Sequence, residues 1–352
     1  MRLASVNQDR GIDPKRSKGA SVHVAEMRRA FRTLGVQVLD LDEPDDRALW
    51  SALEDFEPDL IYERYALGKA AATEFAGSHG VRRVLEVNAP LAREEQDWRG
   101  RAIDQEQVAT DRKSFSTATL VTSVSNAVAG YCKDLGTLPE RLLVLPNGVD
   151  ADRFRPAARE GAKRRLEIPE DSIVLGFHGR LRPWHDFPTL VSAARRLLEQ
   201  HPVHVVTVGK GEFERHLATQ LPRERYTCVD WVEHKHVPNL IGAFDLLPLT
   251  YSPDREFYFS PLKLAEAMAV GVVPVVPDLG DLGELVDHGI SGLVYPGGDV
   301  EGLNAALRLM AKAPRLRSRI GARAAQVAST WSWVSIAERI LDRLQLPRSR
   351  RA

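Results

Sequence analysis

Short apolar, β-branched runs alternate along the chain with stretches of helical periodicity. Residues 36–41, 59–62, 83–87, 120–122 and 142–145 read as strands of a first sheet. Residues 173–177, 203–208, 226–229, 246–249, 272–276 and 292–294 read as strands of a second. The helix opening near Ser21 is expected to turn Val22, Ala25, Met27, Ala30 and Phe31 inward and Arg28, Arg29 and Arg32 toward water. Residues 188–201 form another, burying Leu190, Val191, Ala194, Leu197 and Leu198 with Arg195, Arg196 and Glu199 outside. Strands and helices in alternation build parallel sheets from βαβ units, so the pattern predicts an α/β protein with two doubly wound domains. It pauses in the Pro- and Asn-containing stretch 146–156, which separates residues 1–155 from 156–330. A closing helix over 331–344 and a basic tail occupy 331–352.

The chain has 352 residues, 43% hydrophobic and 27% charged, enough for two cores of ordinary size. Its 48 basic and 48 acidic residues cancel, which argues against a nucleic-acid partner. Basic residues still cluster in two places, with eight between Arg2 and Arg32, Lys15, Arg16 and Lys18 among them, and Arg348, Arg350 and Arg351 in the tail. Solvated surface and a weak peripheral membrane contact both fit these clusters. No run approaches the ~18 apolar residues that span a bilayer. The opening MRLASVNQDRG lacks the apolar core of a signal peptide, so a cytoplasmic location is expected. Cys132 and Cys228 show no metal-ligand spacing and read as small core residues in a reducing compartment.

Residues 260–271, SPLKLAEAMAVG, run directly into the apolar VVPVV and carry the most chemistry. Ser260 is placed to cap a helix whose first position is Pro261. Leu262, Lys263 and Glu266 then share one face of the first two turns. Unpaired N–H groups and the positive dipole end of a helix N-terminus favour phosphate, and a carboxylate one turn further in can accept from two neighbouring hydroxyls such as those of a ribose. Together these suit a sugar nucleotide.

In order the chain also shows KGASVHVAEMRRAFRTLGVQV (18–38), EVNAPL (86–91), VTSVSNAVAGY (121–131), LPNGVDADRFRP (145–156), GFHGRLRPWHDFPTLV (176–191), VVTVGKGEFERHL (205–217) and GELVDHGISGLVYPGGD (283–299). With the 260–271 segment, this series resembles the family-4 retaining glycosyltransferases of GT-B fold, the group 1 glycosyl transferases. The resemblance implies two Rossmann-like domains facing each other across a cleft, the first for the acceptor and the second for a nucleotide-sugar donor, with the closing helix returning to the first domain. It implies hexosyl-type transfer with retained configuration and no cofactor or metal, the nucleotide sugar being a co-substrate. UDP is favoured over GDP, and the acceptor is a small molecule, lipid or glycan; oligomeric state stays open. A sugar-nucleotide epimerase or phosphorylase of the same fold, or a non-catalytic nucleotide-sugar-binding subunit, are the alternatives.

Carried over position by position, Arg180 matches the phosphate-binding arginine, suited by its planar guanidinium to two oxygens at once. Five residues on, the family usually has lysine and this chain has His185, so Lys263 is expected to supply the second cation. Glu266 takes the ribose role. Its usual acidic partner eight residues upstream is replaced by Tyr258, which either bonds the donor sugar or only packs, and Glu256 is the nearest acid. Gly19 matches the loop that lets backbone approach the donor, and Val232, beside Trp231, lies where backbone meets the base. Glu86 and Asn88 occupy a segment where many relatives have a sugar-contacting histidine; Asn88 is expected to bind a sugar hydroxyl and Glu86 to position the acceptor. Glu63 and Arg64 read either as a site pair or as a structural ion pair. VGKGE (208–212) is not a P-loop, Asp40-Leu41-Asp42 reads as a solvated acidic turn, and His234 and His236 read as loop residues without a metal cluster.

Overall fold

The computed structural model describes residues 1–9, 11–12, 19–42, 45–254 and 256–347. Arg10, Lys15, Arg16 and Lys18 of the first basic cluster, and Arg348, Arg350 and Arg351 of the tail, lie outside these residues. The chain divides into two compact units: Met1–Gly148 with Tyr258–Ser260 and Trp333–Ala352, and Val149–Phe257 with Pro261–Ser332.

In the first unit, β1 (Arg2–Asn7), β2 (Gln37–Asp42), β3 (Leu60–Arg64), β4 (Arg82–Val87), β5 (Leu120–Ser123) and β6 (Leu142–Val144) form a parallel sheet of order β2-β1-β3-β4-β5-β6. In the second, β7 (Ile173–His178), β8 (Val203–Val208), β9 (Tyr226–Val229), β10 (Leu246–Pro248), β11 (Val273–Asp278) and β12 (Leu293–Pro296) form another, of order β12-β11-β10-β7-β8-β9. Strand order reverses between β1 and β3 and again between β7 and β10. In doubly wound sheets, ligands bind outside the carboxyl ends of the strands at such reversals.

The apolar pattern locates eleven of these strands but not β1. RLASVN mixes Arg2, Ser5 and Asn7 with apolar residues, yet every residue after Arg2 is buried. Ser5 is tolerated inside because its hydroxyl accepts from Arg28 Nε at 2.9 Å. Arg28 therefore corrects the expected helix face. In Gly19–Thr33 it points inward and grips Asp42 with both terminal nitrogens, at 2.8 and 2.9 Å, while Ala25 is exposed. Asp40 and Asp42 are likewise not a free acidic turn, since Asp40 pairs with Arg32 at 2.6 Å.

Neighbouring strand residues point to opposite faces, and this separates Glu63 from Arg64. Glu63 meets the fully buried Arg83 at 2.5 Å, and Arg83 also donates to the Ser114 hydroxyl at 3.2 Å and to its carbonyl. Arg64 reaches Glu86 instead, at 2.8 Å. YERY therefore supplies two separate ion pairs. Near the first of them a cavity of about 450 Å³ is lined by Thr73, Glu74, Ser78, Lys113 and Thr119. It opens beside Val81 and Thr119, at the amino ends of β4 and β5, the wrong end of the strands for the ligand site of such a sheet.

The second core gathers Leu175, Phe177, Leu190, Ala194, Leu197, Val205 and Val275 around helix Phe187–Leu198, whose apolar face falls where its periodicity puts it. Among the described residues no helix is long and apolar enough to cross a membrane. Gly176, in the middle of β7, lies under the Phe244 ring, and a Cβ there would overlap the ring atoms. Gly176→Ala is expected to destabilise the second unit by ~1–3 kcal/mol through overpacking. Urea unfolding followed by tryptophan fluorescence checks this, and a loss below ~0.5 kcal/mol would show that the ring moves aside freely.

Candidate functional site

Helix Leu262–Val270 begins later than its sequence suggests. Pro261, at φ −71° and ψ 114°, is the capping residue, with no side-chain cap. Ser260 does not cap the helix because its hydroxyl already accepts the Asn147 N–H at 2.8 Å, while the Asn147 amide donates to the Ser260 carbonyl at 2.5 Å. Both Ser260 and Tyr258 belong to the first unit, where the Tyr258 hydroxyl donates to Glu94 at 2.5 Å and its carbonyl accepts from Ser125 at 2.7 Å. Leu262 and Val232 are half-buried.

Glu266, one turn into the helix, is buried and held by two histidines. His178 Nε2, at the carboxyl end of β7, lies 2.8 Å from one carboxylate oxygen, and His234 Nε2, in the loop after β9, lies 2.6 Å from the other. The remaining ring nitrogens settle the tautomers. His178 Nδ1 is buried with no partner among the described residues, and His234 Nδ1 faces the Arg153 guanidinium at 3.2 Å, so each proton sits on Nε2 and is donated to the carboxylate. Burial alone would push the Glu266 carboxyl upward. The hydrogen bonds from His178 and His234 outweigh it and hold the group at about 2. An ionised carboxylate offers about four acceptor positions, so the two histidines leave further acceptor capacity on each oxygen. Neither histidine was legible as a partner in the sequence. His234 stood out only through its spacing to His236, and no group of three or more His, Cys, Asp or Glu side chains that could hold a metal ion occurs among the described residues.

Lys263 precedes Glu266 on the same helix. Its amine lies 4.1 Å from the centre of the Phe177 ring and 2.7 Å from His185 Nε2. Gly179, which begins the loop after β7, packs against it, a Cβ there falling 3.7 Å from Lys263 Cε. In that loop Arg182 pairs with Glu212 at 2.7 Å, whereas Arg180 is exposed and makes no hydrogen bond or ion pair among the described residues. The loop is braced by backbone bonds, Leu181 N–H to the Lys210 carbonyl at 3.1 Å and Glu212 N–H to the Leu181 carbonyl at 3.0 Å. Arg180, Lys263, His185 and Glu266 thus gather at the carboxyl end of β7, on the β7/β10 reversal.

In the first unit β4 ends at Val87, but Glu86 and Asn88 both turn to His23. Glu86 lies 3.0 Å from His23 Nε2, and the Asn88 amide lies 3.3 Å from Nδ1, a nitrogen that also faces Asn147 Oδ1 at 2.7 Å. Glu86 additionally accepts from the Tyr62 hydroxyl and from Arg64. Burial raises its proton affinity, but His23, Arg64 and Tyr62 together hold it at about 2. Fully partnered and ionised, Glu86 positions its neighbours and is not a free base. Gly19 is the exposed first residue of its helix.

Residues 172–312 match the family described as glycosyl transferases group 1, and residues 3–148 match the glycosyl transferase 4-like domain. The chain is 30% identical over 262 residues to a D-inositol 3-phosphate glycosyltransferase of Geodermatophilus obscurus, covering 70% of this chain and 54% of that protein. It is 28% identical over 212 residues to a GDP-mannose-dependent monoacylated α-(1-6)-phosphatidylinositol monomannoside mannosyltransferase of Corynebacterium glutamicum, covering 57% and 55%. The chain therefore spans about half the length of these curated relatives. Among solved structures, Anabaena HepE in complex with UDP and glucose matches at TM-score 0.73 with 20% identity, covering 98% of this chain and 99% of that one. Sucrose-phosphate synthase of Thermosynechococcus elongatus matches at TM-score 0.77 with 16% identity, covering 98% of each. Two parallel six-stranded sheets with flanking helices are the GT-B architecture of these structures. The chain belongs to the family-4, group 1 glycosyltransferases.

Because Glu86 carries a folded-state value of about 2 against an ordinary 4.5, it contributes stability that is complete above pH 4.5 and lost as pH falls from 4.5 toward 2. Glu86→Gln is expected to lower the melting temperature at pH 7 and to flatten its decline across that window. Melting curves from pH 7 to pH 3 read both effects.

Proposed function

We propose that this chain transfers a sugar from a nucleoside-diphosphate donor to an acceptor hydroxyl, without a metal and with retained anomeric configuration. One arrangement carries the reading: an unpartnered arginine, a lysine and a histidine-held carboxylate share the carboxyl end of β7. Glu266 accepts the two ribose hydroxyls on its remaining lone pairs. Arg180 and Lys263 lie where charge builds on the departing diphosphate and take the neutralising role a metal would otherwise fill. The acceptor attacks from the leaving-group side, and the departing phosphate oxygen takes its proton.

UDP is the first choice of nucleotide and GDP the second. A UDP-bound structural neighbour and a GDP-mannose-dependent relative support both as candidates. Asn88 lies beside His23 and Glu86, a polar cluster suited to sugar hydroxyls in the first unit. The acceptor is a hydroxyl-bearing small molecule, lipid or glycan; the inositol-phosphate and lipid-linked acceptors in the relatives' names make a phosphorylated polyol a sensible first trial.

Thermal-shift titration with UDP, GDP, ADP and their sugar conjugates, with and without EDTA, tests the donor site. A ligand at ~100 times its dissociation constant adds about 2.7 kcal/mol. One nucleotide is expected to raise the melting temperature equally in both conditions, and Glu266→Ala to abolish the rise; no shift with any would overturn the reading. With a working acceptor, Arg180→Ala is expected to lower turnover by ~100- to 1000-fold, measured as released nucleotide. A loss under tenfold would remove Arg180 from its role.

A further inference from the structure

Among the described residues Lys263, unlike Arg180, has a hydrogen-bond partner, and that partner is not an acid. Both oxygens of the nearby Glu266 are occupied by His178 and His234, and the lysine amine instead meets His185 Nε2 at 2.7 Å. His185 is buried among Phe177, Phe187 and Tyr251, with ring centres 4.9, 5.8 and 5.6 Å away. Its other nitrogen, Nδ1, receives the Arg182 backbone N–H at 3.3 Å. A neutral imidazole whose Nδ1 accepts must carry its proton on Nε2, pointing at the lysine nitrogen. An ammonium has no lone pair to receive that proton, but a neutral amine has one.

We infer that His185 is a positioning residue that holds Lys263 as an uncharged amine until a diphosphate arrives, so that donor binding at this site takes up one proton. The inference rests on the donor-site reading above. The surrounding charges agree with it. On the histidine side stand Arg182, paired with Glu212, and the unpartnered Arg180; on the lysine side stands Glu266, whose charge is shared with two histidines. Burial, opposed only by Glu266, draws the Lys263 amine down to about 7, and burial, with the positive charge of Arg182 behind it, holds His185 well below its ordinary value and so neutral. When phosphate oxygens replace the imidazole as the nearest polar atoms, their charge favours the ammonium. The nitrogen lone pair then takes a proton from solvent, while the imidazole stays neutral and loses only a hydrogen bond. The arrangement avoids a charge with no acidic partner in the empty site and still presents a second cation to the donor.

Calorimetric titration of UDP at pH 8, in two buffers of different ionisation enthalpy, counts the protons. The nucleotide's own terminal phosphate is already ionised there, with an ordinary second value near ~6. Wild type is expected to take up about 0.9 proton per UDP, and its dissociation constant to rise about tenfold from pH 8 to pH 9. Lys263→Arg, whose guanidinium does not titrate, is expected to bind with no uptake. His185→Leu, lacking the bond that favours the neutral amine, is expected to take up less than half of the wild-type value. GDP and ADP serve as probes in the same way if UDP does not bind. Binding without proton uptake in wild type, or equal uptake in Lys263→Arg, overturns this inference and leaves the donor site standing. Absence of binding by all three nucleotides overturns both.

Discussion

A buried carboxylate must be satisfied, and the contacts that satisfy Glu266 join three different elements. His178 comes from the end of β7, His234 from the loop after β9, and Glu266 itself from helix Leu262–Val270. Removing either histidine would leave a buried acceptor unpaired, a cost of roughly 1–3 kcal/mol and more for a charged group. The three elements are thereby locked in one register, and Lys263 and the Gly179–Asp186 loop inherit it. Arg153 extends the chain of contacts to Asp150, which it meets at 3.0 Å, so the start of the second unit is tied into the same network.

Within that frame the cations differ in kind. Arg180 is exposed and makes no hydrogen bond or ion pair among the described residues. Lys263 is half-buried, laid over an aromatic ring and matched to a neutral imidazole. Guanidinium is charged at any ordinary pH, whereas an amine yields its proton when desolvated.

The first unit solves the same physical problem differently. Arg83 and Arg28 are buried but carry several hydrogen bonds each, and Glu86 has His23, Arg64 and Tyr62 around it. These networks join β1, β3 and β4 to the flanking helices. Asn88, just past the end of β4, faces His23, which in turn faces Asn147.

Local sequence determined a good deal: eleven strands by their apolar runs, the helix 187–198 by its period, and the start of chemistry at residues 260–271, since each of these depends on neighbours a few positions apart. Lys263 and Glu266 stood out for the same reason, because their spacing on one helix face is local, whereas Arg180 stood out through the family resemblance. The strand β1 did not, since its polar Ser5 becomes acceptable only when Arg28, 23 residues later, reaches it. Arg28 itself was assigned to the wrong face because helical periodicity counts charge as outside unless a partner is known. The clamp on Glu266 joins residues 88 and 32 apart, and the Lys263–His185 contact joins residues 78 apart. No period or propensity registers such pairs. Which charges are inside, which are neutral and which remain free for a ligand was decided only when the sheet brought its strand ends together.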